Sequence, residues 1–517
     1  MNKEKVYLMI LDGFGEGKDY AGNAEKLAHM DNLEKLKKKY PWTLLQASGN
    51  AVGLPENTQG GSEVGHFTIG AGRIVFQSLE EINRSIHDGS FFLMPSLVEA
   101  MESIKRNPKS ALHLLGMISD QGVHSHLNHL FALLYMAKTF HIGPVYIHAI
   151  TDGRDVPEHT AKEFIEQIQK KIAELGFSND PTNPENYAGI ATIIGRFYAM
   201  DRDNNWDRTK KAYDLYTQGT GIEEVDPIKA IDNAYARNIE TDYYIDPIVL
   251  DKNGLIKDKD SVIFWNFRTD RTRQITYCFT GETEIGFTIE KKVEPFFVCF
   301  GDYSNKAPVV FPTVKISNNL GEVLEKNGLT QLRIAETEKY AHVTYFFNSQ
   351  IDEPFPHETR VLIDSPKVAS YAEKPEMSAP QLSERVIQEM DKADYDLIVQ
   401  NFANPDLVGH SGDLQASVQA CKYIDEYMQK IVEKALQKGY HVILTADHGN
   451  VEYKIYEENG EPCPSHTTNP VICLLISPKY KDKKLAKDKG LQDIAPTILE
   501  IMQIEKPAEM TGTSLLQ

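Results

Sequence analysis

The stretch KVYLMILDGFG, residues 5–15, decides the fold class. Its apolar run, residues 6–11, stops at Asp12 and enters a glycine-rich loop. A run this short suits a strand buried on both faces. It falls well short of the roughly 20 apolar residues of a membrane span. The same pattern returns at residues 112–118, 145–150, 262–265, 296–300, 397–399 and 442–445, each run ending in polar or glycine-rich sequence. Amphipathic stretches with helical spacing separate many of these runs, at 161–175, 382–390 and 416–436. Strands alternating with helices predict an α/β fold built on largely parallel sheet. There is no internal repeat or low-complexity segment, and NDPTNPEN at 179–186 reads as surface loop.

The chain has 517 residues, room for roughly two to four domains, and a net charge of -19. That charge argues against nucleic acid and anionic membranes as general partners. An anionic substrate would need a local positive cluster or metal ions. The apolar stretch after the first five residues is too short for a signal-peptide core, which predicts a cytoplasmic protein. Five cysteines, Cys278, Cys299, Cys421, Cys463 and Cys473, form no CxxC and read as reduced, buried thiols.

Functional groups of open α/β sheets gather at the carboxyl ends of strands. Here the runs end in Asp12, Ser119-Asp120, Asp152, Asn401 and Asp447-His448. Asp406 and His410 have the i,i+4 spacing that puts two side chains on one face of a helical turn. With Asp12, Asp447, His448 and His466 they form a set of carboxylates and imidazoles, which suits manganese or zinc better than calcium. A single such aspartate is as well explained as a cap or a turn residue. Six at strand-end loops are not.

Ser62 follows two glycines and precedes a helix-like segment, a placement that favours a phosphate group. A metal could activate its hydroxyl for attack. The plain structural reading is a Gly-Gly turn with Ser62 as an N-cap. Arg154, Arg268 and Arg271 stand just past predicted strands in the middle of the chain, and GRFYAMDR between them carries Arg196 and Arg202. Their forks would suit a small substrate bearing carboxylate and phosphate. For His124, hydrogen bonding to substrate is a better reading than a third metal shared with His126 and His129. Glycines 13, 15 and 17 lack dinucleotide-fingerprint spacing, DKNG at 251–254 lacks the full calcium-loop pattern, and Cys463 with His466 has no second cysteine pair.

The motifs LDGFG, NTQGGSEVGH, GMISDQGVHSH, TDGRDVP, GRFYAMDRD, NFRTDR, AETEKYAHVTYFFN, NFANPDLVGH, TADHGN and SHTTNP span nearly the whole chain. Together they resemble the cofactor-independent phosphoglycerate mutases of the alkaline phosphatase superfamily. The resemblance implies an α/β protein of two domains, each a largely parallel sheet flanked by helices. A discontinuous phosphatase-like domain would take residues 1–78 and 314–517, and an inserted transferase domain residues 79–313. It implies one manganese on Asp406, His410 and His466 and a second on Asp12, Ser62, Asp447 and His448, with zinc or cobalt as alternatives. It assigns His124, Arg154, Asp155, Arg196, Arg202, Arg268, Arg271 and Lys339 to the substrate. Ser62, Asp155, Lys339 and Arg271 would carry the chemistry. The implied activity interconverts 3-phosphoglycerate and 2-phosphoglycerate through phosphoserine in a monomer, without bisphosphoglycerate. A metal-dependent phosphatase or phosphodiesterase on the same core is the leading rival, and a non-catalytic metabolite sensor the second.

Overall fold

The computed structural model describes residues 4–313 and 315–517. Residues 1–3 of the N-terminal segment, and Val314, where the expected second phosphatase segment starts, lie outside the described residues. The chain divides into two compact units, Met1–Gln77 with Lys315–Gln517, and Ser78–Val314. Each is an α/β layer structure, the class predicted from the strand–helix alternation.

The first unit holds an eight-stranded sheet. In spatial order its strands are Glu358–Ile363, Gln331–Glu336, Leu397–Phe402, Lys5–Leu11, Tyr440–Thr445, Val471–Ile476, Trp42–Gln46 and Lys489–Gly490. Only Val471–Ile476 runs against the others. Lys5–Leu11 lies at the centre, with Leu8 registered between Val399 and Ile443. Helices cover the sheet, so this strand is buried from Val6 to Leu11 and needs no polar alternation. One covering helix, Leu414–Gln437, starts where the Asp413 carboxylate accepts the Ala416 N–H. It buries Val418, Cys421, Ile424, Met428, Ile431 and Val432 on one stripe.

The second unit holds seven strands in the order Ile222–Glu223, Ile248–Val249, Ala188–Gly195, Val145–Thr151, Leu112–Ile118, Ser261–Phe264 and Phe296–Cys299. Its four central strands are parallel and buried throughout apart from Gly189. The short Ile248–Val249 is antiparallel to Ala188–Gly195.

Gln331–Glu336 escapes a reading by apolar runs because Gln331, Arg333 and Glu336 interrupt it, yet all six of its residues are buried. Its polar groups are partly satisfied nearby. Gln331 donates to the Gly321 carbonyl at 2.9 Å, and Arg333 donates to Gln331 at 2.6 Å while lying over the Phe347 ring. All five cysteines are buried and unpaired, as expected. Among the described residues no helix is long and apolar enough to cross a membrane.

Leu8 is fully buried in the central strand. Leu8→Ala should therefore destabilise the first unit by about 2–5 kcal/mol, from lost burial and the cavity left behind. A lower urea midpoint would register this, and an unchanged midpoint would contradict the packing described.

Candidate active site

In the first unit four adjacent parallel strands deliver their carboxyl ends to one place. Lys5–Leu11 leads to Asp12, Leu397–Phe402 to Asp406, Tyr440–Thr445 to Asp447 and His448, and Gln331–Glu336 to Lys339 on the short helix Thr337–Ala341. Ser62 opens the helix Ser62–Ala71. Gly61, with extended backbone, occupies the N-cap position, so Ser62 is not the cap that the plain structural reading made it. Its Oγ lies 3.0 Å from Asp12 Oδ1, 3.0 Å from His448 Nε2 and 2.7 Å from Lys339 Nζ. The helix reaches this depth because Gly65 meets the Asp447 backbone, where a Cβ would stand 2.6 Å from the carbonyl oxygen.

Beside this group, Asp406 Oδ1 faces His410 Nε2 at 3.2 Å and His466 Nε2 at 3.1 Å, and the two imidazole nitrogens are 3.0 Å apart. The seven side chains singled out as metal ligands are thus brought together, with Lys339 among them. Lys339 donates to Asp12 at 2.7 Å and Asp406 at 2.6 Å. Burial alone would raise Asp12 and Asp406. The Lys339 ammonium, helped by His448, reverses this and holds both well below the usual carboxylate range. Burial would likewise lower Lys339 and His448. Asp12, Asp406 and Asp447 instead push Lys339 far up and lift His448 to about 10.

The second unit repeats the plan with different chemistry. His124 follows Leu112–Ile118, Asp152, Arg154 and Asp155 follow Val145–Thr151, Arg196 follows Ala188–Gly195, and Arg268 to Arg271 follow Ser261–Phe264. Arg196 is buried and splits its guanidinium three ways. Nη1 donates to Asp152 and Asp155, each at 2.6 Å, and Nη2 donates to His124 Nε2 at 3.0 Å. Burial, then the Arg196 charge, lowers His124 to about 4, so it is neutral at physiological pH. Its Nδ1 is buried without a hydrogen bond, 3.8 Å from Asp270 Oδ1, which also lacks one. Arg202 donates to Asp270 Oδ2 at 2.7 Å, and Arg268 Nε is 3.2 Å from Oδ1. Arg271 donates to the Met200 carbonyl, while Arg154 is exposed and anchored through its backbone N–H to Asp152. His129 is spent on Asn83, and His126 accepts from the Asn128 N–H; neither is part of a metal-ligand group among the described residues.

A family model described as the metalloenzyme superfamily matches residues 4–506. The 2,3-bisphosphoglycerate-independent phosphoglycerate mutase of Clostridium acetobutylicum is 48% identical over 525 residues and covers 100% of both chains. That of Moorella thermoacetica is 47% identical over 99% of this chain and 98% of its own. The chain belongs to the 2,3-bisphosphoglycerate-independent phosphoglycerate mutases. Among solved structures, a phosphoglycerate mutase of Leishmania mexicana, studied at low cobalt concentration, superposes with a TM-score of 0.57 at 27% identity, covering 100% of this chain and 98% of that one.

The donor set of this mutase-family chain fits divalent metal. His410, His448 and His466 each turn Nδ1 to a backbone carbonyl, of Pro464, Gly449 and Gly60 respectively, and present Nε2 inward. Asp447 Oδ2 is buried without a hydrogen bond. Ligand atoms of Asp406, His448 and His466 lie within 4.8 Å of one another, as do those of Asp12, His66 and Asp447.

His66 was not anticipated, although its i,i+4 spacing from Ser62 is a visible signal. Its Nδ1 is 2.9 Å from the Ser62 carbonyl and 3.1 Å from Asp447, and its Nε2 accepts from Asn401 at 3.0 Å. His66 thus ties Ser62, Asp447 and Asn401 together and stands with Asp12 and Asp447 in a group able to hold a cation. Asp270, which holds Arg202, was also missed, because nothing in NFRTDR separates an anchor from a spacer.

With His448 lifted to about 10, its Nε2 carries a proton at neutral pH when no metal is present. A cation taking that nitrogen must displace the proton. Metal uptake should therefore release protons, and affinity should rise with pH until His448 deprotonates. Calorimetric titration of chelator-treated protein with Mn²⁺ at pH 7, in buffers of different ionisation enthalpy, measures this. Uptake without proton release would contradict the assignment.

Proposed function

We propose that this chain interconverts 3-phosphoglycerate and 2-phosphoglycerate without bisphosphoglycerate, through a phosphoserine at Ser62. The observation that carries the reading is the position of Ser62 Oγ, at a helix start and within 3.0 Å of Lys339, Asp12 and His448. The names of the curated relatives support the same activity. Asp406, His410 and His466 would hold one manganese, and Asp12, Ser62, Asp447 and His448 the other; zinc or cobalt could take their place. When bound, the two ions supply positive charge that acidifies the serine hydroxyl and offsets charge on the phosphoryl oxygens. We assign the discontinuous unit as the phosphatase-like domain and the inserted unit as the transferase domain. The working form is a cytoplasmic monomer.

Ser62 Oγ, its proton given up to solvent beforehand, bonds to phosphorus as the bond from phosphorus to the substrate ester oxygen breaks, and the last step returns it in the same deprotonated form. Lys339 Nζ, 2.7 Å from that Oγ, stabilises the charge of the attacking oxygen and, with Arg271, that of the transferring group. The Asp155 carboxylate relays one proton from the free hydroxyl of glycerate to the departing oxygen, starting and ending the step ionised beside Arg196. Arg196 holds Asp155 in place. The guanidinium groups of Arg154, Arg202 and Arg268 bind the glycerate carboxylate, keeping the intermediate in hand while it turns. Neutral His124, with its unpaired Nδ1, serves a glycerate oxygen. The second hydroxyl then takes the phosphoryl group from Ser62, which restores the enzyme.

Ser62→Ala is expected to cut turnover of 3-phosphoglycerate below roughly a ten-thousandth of wild type while substrate still binds. Appreciable residual turnover would exclude the covalent route. Arg202→Ala should weaken the grip on glycerate, so that part of the phosphoserine is lost to water. Release of inorganic phosphate from 2-phosphoglycerate should rise relative to mutase turnover. An unchanged ratio would remove Arg202 from the site, and phosphate release dominating in the wild type would favour the phosphatase reading.

A further inference from the structure

Glu452 lies outside every ligand position named above, yet it is 1% exposed and spends its carboxylate on four donors. Oε2 accepts the backbone N–H groups of Gly15 at 3.1 Å and Asn450 at 2.8 Å. Oε1 accepts the Thr467 hydroxyl and the Asn469 side-chain amide, the latter at 3.0 Å. All four donors are neutral, and the buried Lys454 ammonium adds electrostatic attraction without bonding to it. A charge buried this way persists only where hydrogen bonds replace its lost hydration.

The donors are placed where the metal site is assembled. Gly15 is three residues beyond Asp12, Asn450 two beyond His448, and Thr467 and Asn469 one and three beyond His466. The fourth ligand-bearing segment joins through Asn450, whose Nδ2 donates to Asp406 Oδ1 at 2.9 Å and to its carbonyl at 3.2 Å. Buried Lys454 locks Asn450 by donating to its Oδ1 and to the Gly409 carbonyl, next to His410. The backbone closes tightly around the carboxylate. A Cβ on Gly15 would stand 2.4 Å from Glu452 Cδ, and one on Gly449 2.3 Å from Oε1, so a side chain at either position would push the carboxylate off its donors.

We infer that Glu452 is a positioning residue that sets the mutual geometry of the segments carrying Asp12, Asp406, His448 and His466, and thereby the metal affinity. The inference rests on the metal-site reading above. A carboxylate suits this task because each of its oxygens accepts two hydrogens. A glutamine would turn an amino group towards two donors, and an alanine would leave all four unpaired.

The test is Mn²⁺ titration of chelator-treated, folded protein, read by calorimetry and independent of turnover. Glu452→Ala should weaken Mn²⁺ binding by about 10- to 100-fold, the usual scale for groups that orient metal ligands, and Glu452→Gln should weaken it less. At limiting metal kcat should fall and recover with excess Mn²⁺, while KM for 3-phosphoglycerate stays near wild type. Thr467→Val and Asn469→Ala each remove one donor and cover the case in which Glu452→Ala does not fold. Each should weaken binding by about threefold or more. Affinities within twofold of wild type across the folded variants would overturn the inference and leave the metal site standing. A wild type that takes up no Mn²⁺ would overturn both.

Discussion

Three carboxylates, Asp12, Asp406 and Asp447, are buried at the carboxyl ends of three adjacent strands of the first sheet, and like charges so placed cannot share a dry pocket unaided. Lys339 provides one positive charge, bonded to two of them and to Ser62. His448 provides another by holding a proton that a free imidazole would shed at neutral pH. The rest of the site follows from this constraint. Three imidazoles turn their Nε2 atoms into the negative cluster, and the Ser62 hydroxyl is drawn in at the start of its helix. A site under this electrostatic load is poised for divalent cations, which can replace the proton and relieve the remaining repulsion.

The second unit solves the opposite problem with the same architecture. Its strand ends carry arginines, and here acidic residues supply the balance. Asp152 and Asp155 share Arg196, while Asp270 lies against Arg202 and Arg268. These pairs keep several guanidinium groups oriented before an anion arrives, which lowers the entropic cost of binding it. They also gather positive charge locally in a chain whose net charge is -19. The arginines follow three of the four central strands, and the fourth, Leu112–Ile118, leads to neutral His124.

Much of this is legible in the linear sequence where a residue's signal is local. Apolar runs ending in Asp12, Asp152 or Asp447 mark strands and their exits, because a strand buried on both faces needs no polar alternation. The Asp406–His410 spacing is legible because a helical turn brings i and i+4 together. Gln331–Glu336 is not legible in this way. Its buried Arg333 is tolerated through a bond to Gln331 and the Phe347 ring, contacts that exist only after folding.

The sequence by itself therefore determined the α/β class, the sites where chemistry emerges from strands, and the residue types available there. Tertiary structure alone decided which of those residues meet, which are spent on neighbours, and what holds them in register. Glu452 and Gly15 are 437 positions apart, and no periodicity links them. Their contact arises because adjacent parallel strands set their carboxyl-end loops a few ångströms apart whatever the length of chain between them. A buried carboxylate must then collect whatever donors those loops present.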